Sequence, residues 1–361
     1  MKGSHQRAKP PASSAPTASQ RWTRAIWAVT AVLALVAIGL LLRPRNPAGS
    51  SQPPPPPPTA NSTPGPARDD GTYAGSSSCQ ECHPEAFDSW KQSHHGLAER
   101  APNPAQDAPA FDPARTFQHG TQQTRVSRSN DVFLVTTGTP TSPGQSHAVQ
   151  RVIGVDPLQQ YLVSFPGGRL QTLEASYDVR QRDWFNVYGT EDRRPGEWGH
   201  WTGRGMNWNS MCASCHNTRV HKNYDPGTDS YHTVMAEPTV SCEACHGPSQ
   251  AHVAWQRQHR GSATPDPTLR RMTSDQMLDT CGSCHARRSE LTGDFKPGDR
   301  FGDCMRLSQV DDSDTYYPDG QVHGENFELS AFLGSRMHFQ GVRCGDCHEP
   351  HSAKTLSLIH I

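Results

Sequence analysis

Cys242-Glu-Ala-Cys245-His246 places two thiols about one helical turn apart and an imidazole directly after the second. The chain repeats this C-x-x-C-H arrangement at Cys79/Cys82/His83, Cys212/Cys215/His216, Cys281/Cys284/His285 and Cys344/Cys347/His348. Two thiols at that spacing reach the two vinyl groups on one edge of a porphyrin, and the adjacent histidine then sits beneath the iron. A thioredoxin-like pair, half a zinc site or a disulfide framework would also use cysteines, but none requires histidine at the next position five times in five. The pattern therefore predicts five covalently attached haem c groups. His83, His216, His246, His285 and His348 are the expected proximal iron ligands. Cys304 stands outside the pattern and reads as a small buried thiol, with an unusual iron ligand or an intermolecular disulfide as the alternatives.

Composition agrees with a cofactor-filled interior. Apolar residues make up 33% of 361 residues, with 30 glycines and 31 prolines, so a hydrocarbon core is hard to build. A net charge of -1 gives no basic surface for nucleic acid. The sites are separated by 128, 25, 34 and 58 residues, and the first long interval carries the clear strand signals. Asp131–Thr137, His147–Val155, Gln160–Phe165 and Arg169–Leu173 are β-rich, and Pro166-Gly-Gly168 is a hairpin turn. The expected fold is mainly α with many loops, the haems forming the core, and a small antiparallel β insertion between the first and second sites. Thr273/Ser274 reads as the N-cap of a helix leading into Cys281.

Histidines in excess of the proximal five point to bis-histidine iron. His83, Phe87, Trp90 and His94 share one helical face, and a continuous helix would hold His83 and His94 roughly 16 Å apart along its axis. His94, or its neighbour His95, is therefore expected to serve a different haem, as is His351, three residues past His348. His252, His323 and His338 complete the candidate distal set, Met337 being a possible sixth ligand. His119, His147, His221, His232 and His259 read as ordinary histidines.

Residues 1–24 read as a cytoplasmic tail and 25–42, eighteen residues without a charge, as a transmembrane signal-anchor helix. The preceding Lys2, Arg7, Lys9, Arg21 and Arg24 put the N-terminus inside and the haem domain on the periplasmic side of the cytoplasmic membrane. A cleaved signal peptide is the alternative, and it exports the chain equally. Residues 43–72, with six consecutive prolines at 53–58, read as a stiff linker. Residues 73–354 form the multihaem domain, and 355–361 read as a non-native tail, leaving the natural chain to continue and His360 out of the ligand count.

Several stretches together resemble multihaem cytochromes of the cytochrome c-554/c-prime type, in the bacterial branch where that domain precedes tetratricopeptide repeats. They are Gly75-Ser-Ser-Ser-Cys79 with Trp90-Lys-Gln-Ser-His94, and Phe165-Pro-Gly-Gly-Arg-Leu-Gln-Thr-Leu173. Val240-Ser-Cys-Glu-Ala-Cys-His-Gly-Pro248, Asp319-Gly-Gln321 and Gly341-Val-Arg-Cys-Gly-Asp-Cys-His-Glu-Pro-His-Ser352 complete the set. The resemblance implies closely stacked haems, histidine cross-ligation, electron transfer, and a helical-repeat interaction domain beyond the residues here. Five sites and an anchor depart from the four-haem soluble carrier that founded the group.

The function expected is a membrane-anchored, periplasmic pentahaem cytochrome that passes electrons between redox partner proteins. The alternative is a multihaem oxidoreductase with one open-coordinate haem acting on a small nitrogen or sulfur compound. A lysine-ligated C-x-x-C-K site, as in pentahaem nitrite reductases, is absent. A binding or sensing module with structural haem is the third class.

Overall fold

Alternating inward and outward residues between positions 115 and 186 build far more sheet than those strand signals suggest. The structure, a computed structural model, describes residues 71–323 and 327–356. The strands of its main sheet are β1 (Glu99–Arg100), β2 (Arg115–His119), β3 (Gln122–Ser129), β4 (Val132–Gly138), β5 (Ser146–Ile153), β6 (Leu158–Phe165), β7 (Arg169–Thr172), β8 (Ala175–Asp178) and β9 (Asp183–Asn186). They form one antiparallel sheet in the order β2-β3-β4-β5-β6-β8-β9, with β1 added to β5 and β7 to β6. The end strands approach each other, and Arg115 Nη1 donates across the gap to the Arg182 carbonyl at 3.1 Å. In β4, Phe133, Val135 and Thr137 point inward while Val132 faces water, the two-residue period of a half-buried strand. Gly167 and Gly168 both take φ near +70° in the β6–β7 turn (75° and 68°), a conformation that costs other residues more.

The helices are short. α1 (Pro84–Trp90) follows the first C-x-x-C-H, and α2 (Pro104–Phe111) starts at Asn103, whose side chain accepts the Ala105 N–H. Single turns follow at α3 (Trp208–Met211), α4 (Ala213–His216) and α5 (Cys242–His246). Next come α6 (Gln250–Gln258), α7 (Ser274–Gly282), α8 (Phe301–Cys304), α9 (Leu329–Leu333), α10 (Arg336–Phe339) and α11 (Cys344–Cys347). Thr273 caps α7 in a reciprocal capping box with Gln276.

These elements correct the expected mainly α fold: among the described residues no helix exceeds nine residues, and the dominant element is the nine-stranded sheet. The haem motifs need only one helical turn each, whereas residues 115–186 supply strand after strand. The interior is corrected too, because the sheet has a hydrocarbon core of its own. Phe111 sits at its centre, its ring 4.8 Å from Phe133, 4.8 Å from Tyr161 and 5.6 Å from Trp184. Trp184 donates its indole N–H to the Ala110 carbonyl at 2.8 Å, so the largest side chain is buried without an orphan donor. Ile153 and Leu162 pack instead on Trp208 and Ala213, joining the sheet to the second C-x-x-C-H.

The helix expected to run from His83 through His94 stops at Trp90. The Ser93 hydroxyl donates to the Trp90 carbonyl and accepts the Gly96 N–H, folding the chain into turns.

The tail, anchor and most of the linker expected over residues 1–72, and the end of the tail expected at 355–361, lie outside the described residues. Among the described residues no helix is long and apolar enough to cross a membrane. The described residues therefore offer no helix for the expected single-pass inner-membrane placement and N-terminal attachment, whose span at 25–42 lies outside them.

Candidate functional site

Four of the five C-x-x-C-H motifs line one cavity of about 1270 Å³, larger than a typical small-ligand pocket. Its walls carry Cys79, Cys82 and His83, then Cys215, then Cys242, Cys245 and His246, then Cys281, Cys284 and His285. His95, His252 and His351 line it as well.

Buried polar contacts fix this arrangement. Glu243, between the two cysteines of the third motif, is buried and accepts the backbone N–H groups of Ala74 (2.9 Å), Gly75 (2.8 Å) and Ser249 (2.7 Å). It thereby clamps the loop before the first motif onto the third. The Trp90 indole donates to the Val240 carbonyl at 2.8 Å and adds to that clamp. Glu99, on β1, receives the Trp208 indole (2.6 Å), the Asn217 amide (2.8 Å) and the Arg151 guanidinium (2.8 Å), which pins the second motif to the sheet. His216 Nδ1 lies 3.1 Å from the Ala98 carbonyl. Arg343 pairs with Asp275 at 2.6 Å and ties the fifth motif to α7.

Thiols of different motifs meet, and this defines which sites are neighbours. Cys242 is held down at about 6 by the hydrogen bond from the Cys79 thiol, which is itself raised by that bond. Cys215 is lowered to about 6, first by the Cys284 thiol and then by the Arg288 guanidinium, while Cys284 is raised. Cys344 is lowered to about 7 by Cys281, which is raised. The contacts join site one to site three, site two to site four, and site four to site five. Burial raises Cys245 to about 11, and its charge in turn acts on Cys281, linking site three to site four.

Histidines also meet in pairs, and here the residues can be tested against the group they would hold. The His83 and His252 ring centres are 6.5 Å apart and their planes 24° from parallel. His246 and His351 are 6.2 Å apart at 11°, and His285 and His95 are 6.2 Å apart at 72°. With roughly 1.2 Å from ring centre to nitrogen and a metal–imidazole bond of roughly 2.0–2.1 Å, two collinear imidazoles on one iron stand roughly 6.4 Å apart. All three separations match two imidazoles on one iron. Their Nδ1 atoms are occupied elsewhere: His252 on Asp266 Oδ2 (2.6 Å), His351 on Glu349 Oε1 (2.8 Å) and His95 on the Pro350 carbonyl (3.2 Å). That leaves Nε2 as the nitrogen that could hold a metal, the arrangement usual for metal-bound histidine. Burial, then His351 and His83, lowers His246 and favours the neutral imidazole that iron needs.

The zinc and disulfide readings fare worse. No disulfide joins any two of the eleven cysteines, and no three His, Cys, Asp or Glu side chains converge on one point among the described residues.

Of the expected distal residues, the structure brings His252 and His351 opposite a proximal histidine and leaves three elsewhere. His94 is exposed and lies near Asp156, while His95 takes the place opposite His285. His323 packs edge-on against Tyr317, 4.7 Å between centres. His338 sits between Phe332 and Phe339, its Nδ1 buried without a hydrogen-bond partner. Cys304 is buried among Leu278, Phe301, Met305 and Leu329. The sequence reading passed over Asp266 and Glu349, because nothing local marks a carboxylate that will meet a histidine in the folded chain.

The motifs, their shared cavity and the paired imidazoles are those of a multihaem c-type cytochrome. Consistent with that class, the family model for cytochrome c554 and c-prime matches residues 78–126 and 199–247, which hold the first three motifs. No curated protein matches the chain. Among solved structures it is similar to the outer cell wall cytochrome OcwA, at 18% identity and a TM-score of 0.49, covering 79% of this chain and 58% of that one. An undecahaem cytochrome from the S-layer of Carboxydothermus ferrireducens gives 18% identity and a TM-score of 0.39, over 79% and 40%. The octahaem sulfite reductase MccA of Wolinella succinogenes gives 16% identity and a TM-score of 0.35, over 78% and 44%. The chain thus spans less than two thirds of each of these structures.

Proposed function

We propose that the chain carries five haem c groups, one on each C-x-x-C-H, and relays electrons between redox partner proteins through closely spaced sites. Bound haem iron supplies the one-electron ferric/ferrous couple. The chain's own residues supply the rest: thiols that fix each porphyrin, imidazoles above and below it, and buried clamps that hold neighbouring sites together. The ligand pairs are His83 with His252, His246 with His351, and His285 with His95. The observation that carries this reading is the spacing of those pairs at 6.2–6.5 Å between ring centres.

Thiol contacts join site one to three, two to four and four to five, and the charge of Cys245 acting on Cys281 relates three to four, which gives the order one, three, four and five with two beside four. Cys82 and Cys347 are exposed, so the two ends of that order face water, where a donor or acceptor can dock. Bis-histidine coordination at sites one, three and four favours relay there over the alternative of an open-coordinate haem reducing a small nitrogen or sulfur compound.

The test is a haem count with low-temperature electron paramagnetic resonance on protein matured in a haem-attaching host. Five haems per chain and low-spin signals at three or more sites are expected. Fewer than five, or high-spin iron at sites one, three or four, would overturn the reading.

A further inference from the structure

We propose that Asp266 and Glu349 are positioning residues that depress the redox potentials of sites one and three by holding the Nδ1–H of the facing histidines. The inference rests on the ligand pairs proposed above and concerns what lies behind them. Three facing histidines have three different acceptors. Asp266 Oδ2 takes His252 at 2.6 Å and Glu349 Oε1 takes His351 at 2.8 Å, both anionic, whereas His95 meets only the neutral Pro350 carbonyl at 3.2 Å.

Both carboxylates are built in. Asp266 is 3% exposed, and its other oxygen accepts the Thr268 N–H at 2.7 Å and the Thr268 hydroxyl at 2.6 Å. Gln256 Nε2 donates to Oδ2 alongside His252, at 3.1 Å. Glu349 accepts the backbone N–H groups of His351 (3.1 Å) and Ser352 (2.5 Å) but is 35% exposed.

A carboxylate that draws the Nδ1 proton toward itself makes the opposite nitrogen a stronger donor, and its charge acts on the iron as well. Both effects favour ferric over ferrous iron and lower the potential. Asp266, better shielded from water, acts more strongly than Glu349. When an electron passes from site one to site four, one iron is oxidised as the other is reduced, with no proton needed. The carboxylates favour that direction.

The test is a redox titration of the holoprotein followed by electron paramagnetic resonance. The planes of site four, 72° apart, give a low-spin signal distinct from the near-parallel pairs of sites one and three, so the sites are read separately. In Asp266→Asn one near-parallel signal stays low-spin and its midpoint moves to more positive potential, while site four does not move. Glu349→Gln shifts the other near-parallel signal by less. Thr268→Val, which loosens Asp266 without removing its charge, gives a smaller shift of the same sign and stands in if the Asn variant loses haem. An unchanged midpoint with low-spin iron, or equal shifts at all sites, would refute the carboxylate role and leave the ligand pairs intact. If His252→Ala keeps every site low-spin, the ligand pairs themselves are wrong and the proposal falls with them.

Discussion

His351 lies opposite His246 with ring centres 6.2 Å apart and planes 11° from parallel, although the two come from different C-x-x-C-H segments. Residues 348–351 thereby serve three sites at once. His348 belongs to the fifth motif, Glu349 and His351 would complete the third in the proposed pairing, and the Pro350 carbonyl meets His95 opposite His285 of the fourth. Under the proposed ligand pairs, cross-ligation would join remote parts of the chain where helices are too short to do so.

The pairing separates two adjacent histidines. His95→Ala should convert one low-spin centre to high-spin with haem content unchanged, because His95 and not His94 faces His285. His94→Ala should leave the spectrum as it was. Low-temperature spectra of the two variants check this, and the opposite result would reassign the ligand of site four.

Glu243 holds three backbone donors with one buried carboxylate. Glu243→Ala strands those donors and should cost about 3 kcal/mol of stability, with Glu243→Gln costing less because one oxygen still accepts. Denaturant unfolding of the haem-loaded protein measures both. Equal stability of all three proteins would mean that the clamp on residues 74–75 contributes nothing.

The sheet core should be separable from the haem sites. Phe111→Ala opens a cavity among Phe133, Tyr161 and Trp184 and should cost about 3–5 kcal/mol. Haems per chain should not change. Loss of haem in that variant would show that attachment depends on the sheet.

A pH effect is expected at Glu290. Burial raises its pKa, but hydrogen bonding and charge from Lys222, then Arg288, outweigh that and leave it below the ordinary glutamate value. A folded pKa below the unfolded one means that the unfolded chain binds more protons through that window. The stabilisation is therefore complete above the unfolded value and is lost as pH falls through the lowered one. Glu290→Gln should flatten that acid limb in a series of unfolding midpoints against pH, and an unchanged slope would remove the pair from the acid response.

Much of the chemistry was legible before folding. A C-x-x-C-H site is local, so Cys79 to His83 and its four counterparts stand out by spacing alone. Strands β4 to β7 were legible because Val, Ile, Phe and Tyr alternate there. β2, β3, β8 and β9 escaped because residues such as Arg115-Thr-Phe-Gln-His119 put few apolar side chains on the inner face. The choice between His94 and His95 stayed open because extending the helix beyond Trp90 placed His94 on the motif's face, and a turn set by Ser93 ended that helix.

The sequence by itself determined where porphyrin can be attached and which imidazole follows each thiol pair, because that chemistry is contained in five consecutive residues. Only the tertiary structure decided which histidine faces which, which thiols are neighbours and which carboxylates stand behind the rings. Those contacts join residues far apart in the chain, and they form only when buried groups such as Glu99 and Glu243 find their partners as the chain closes.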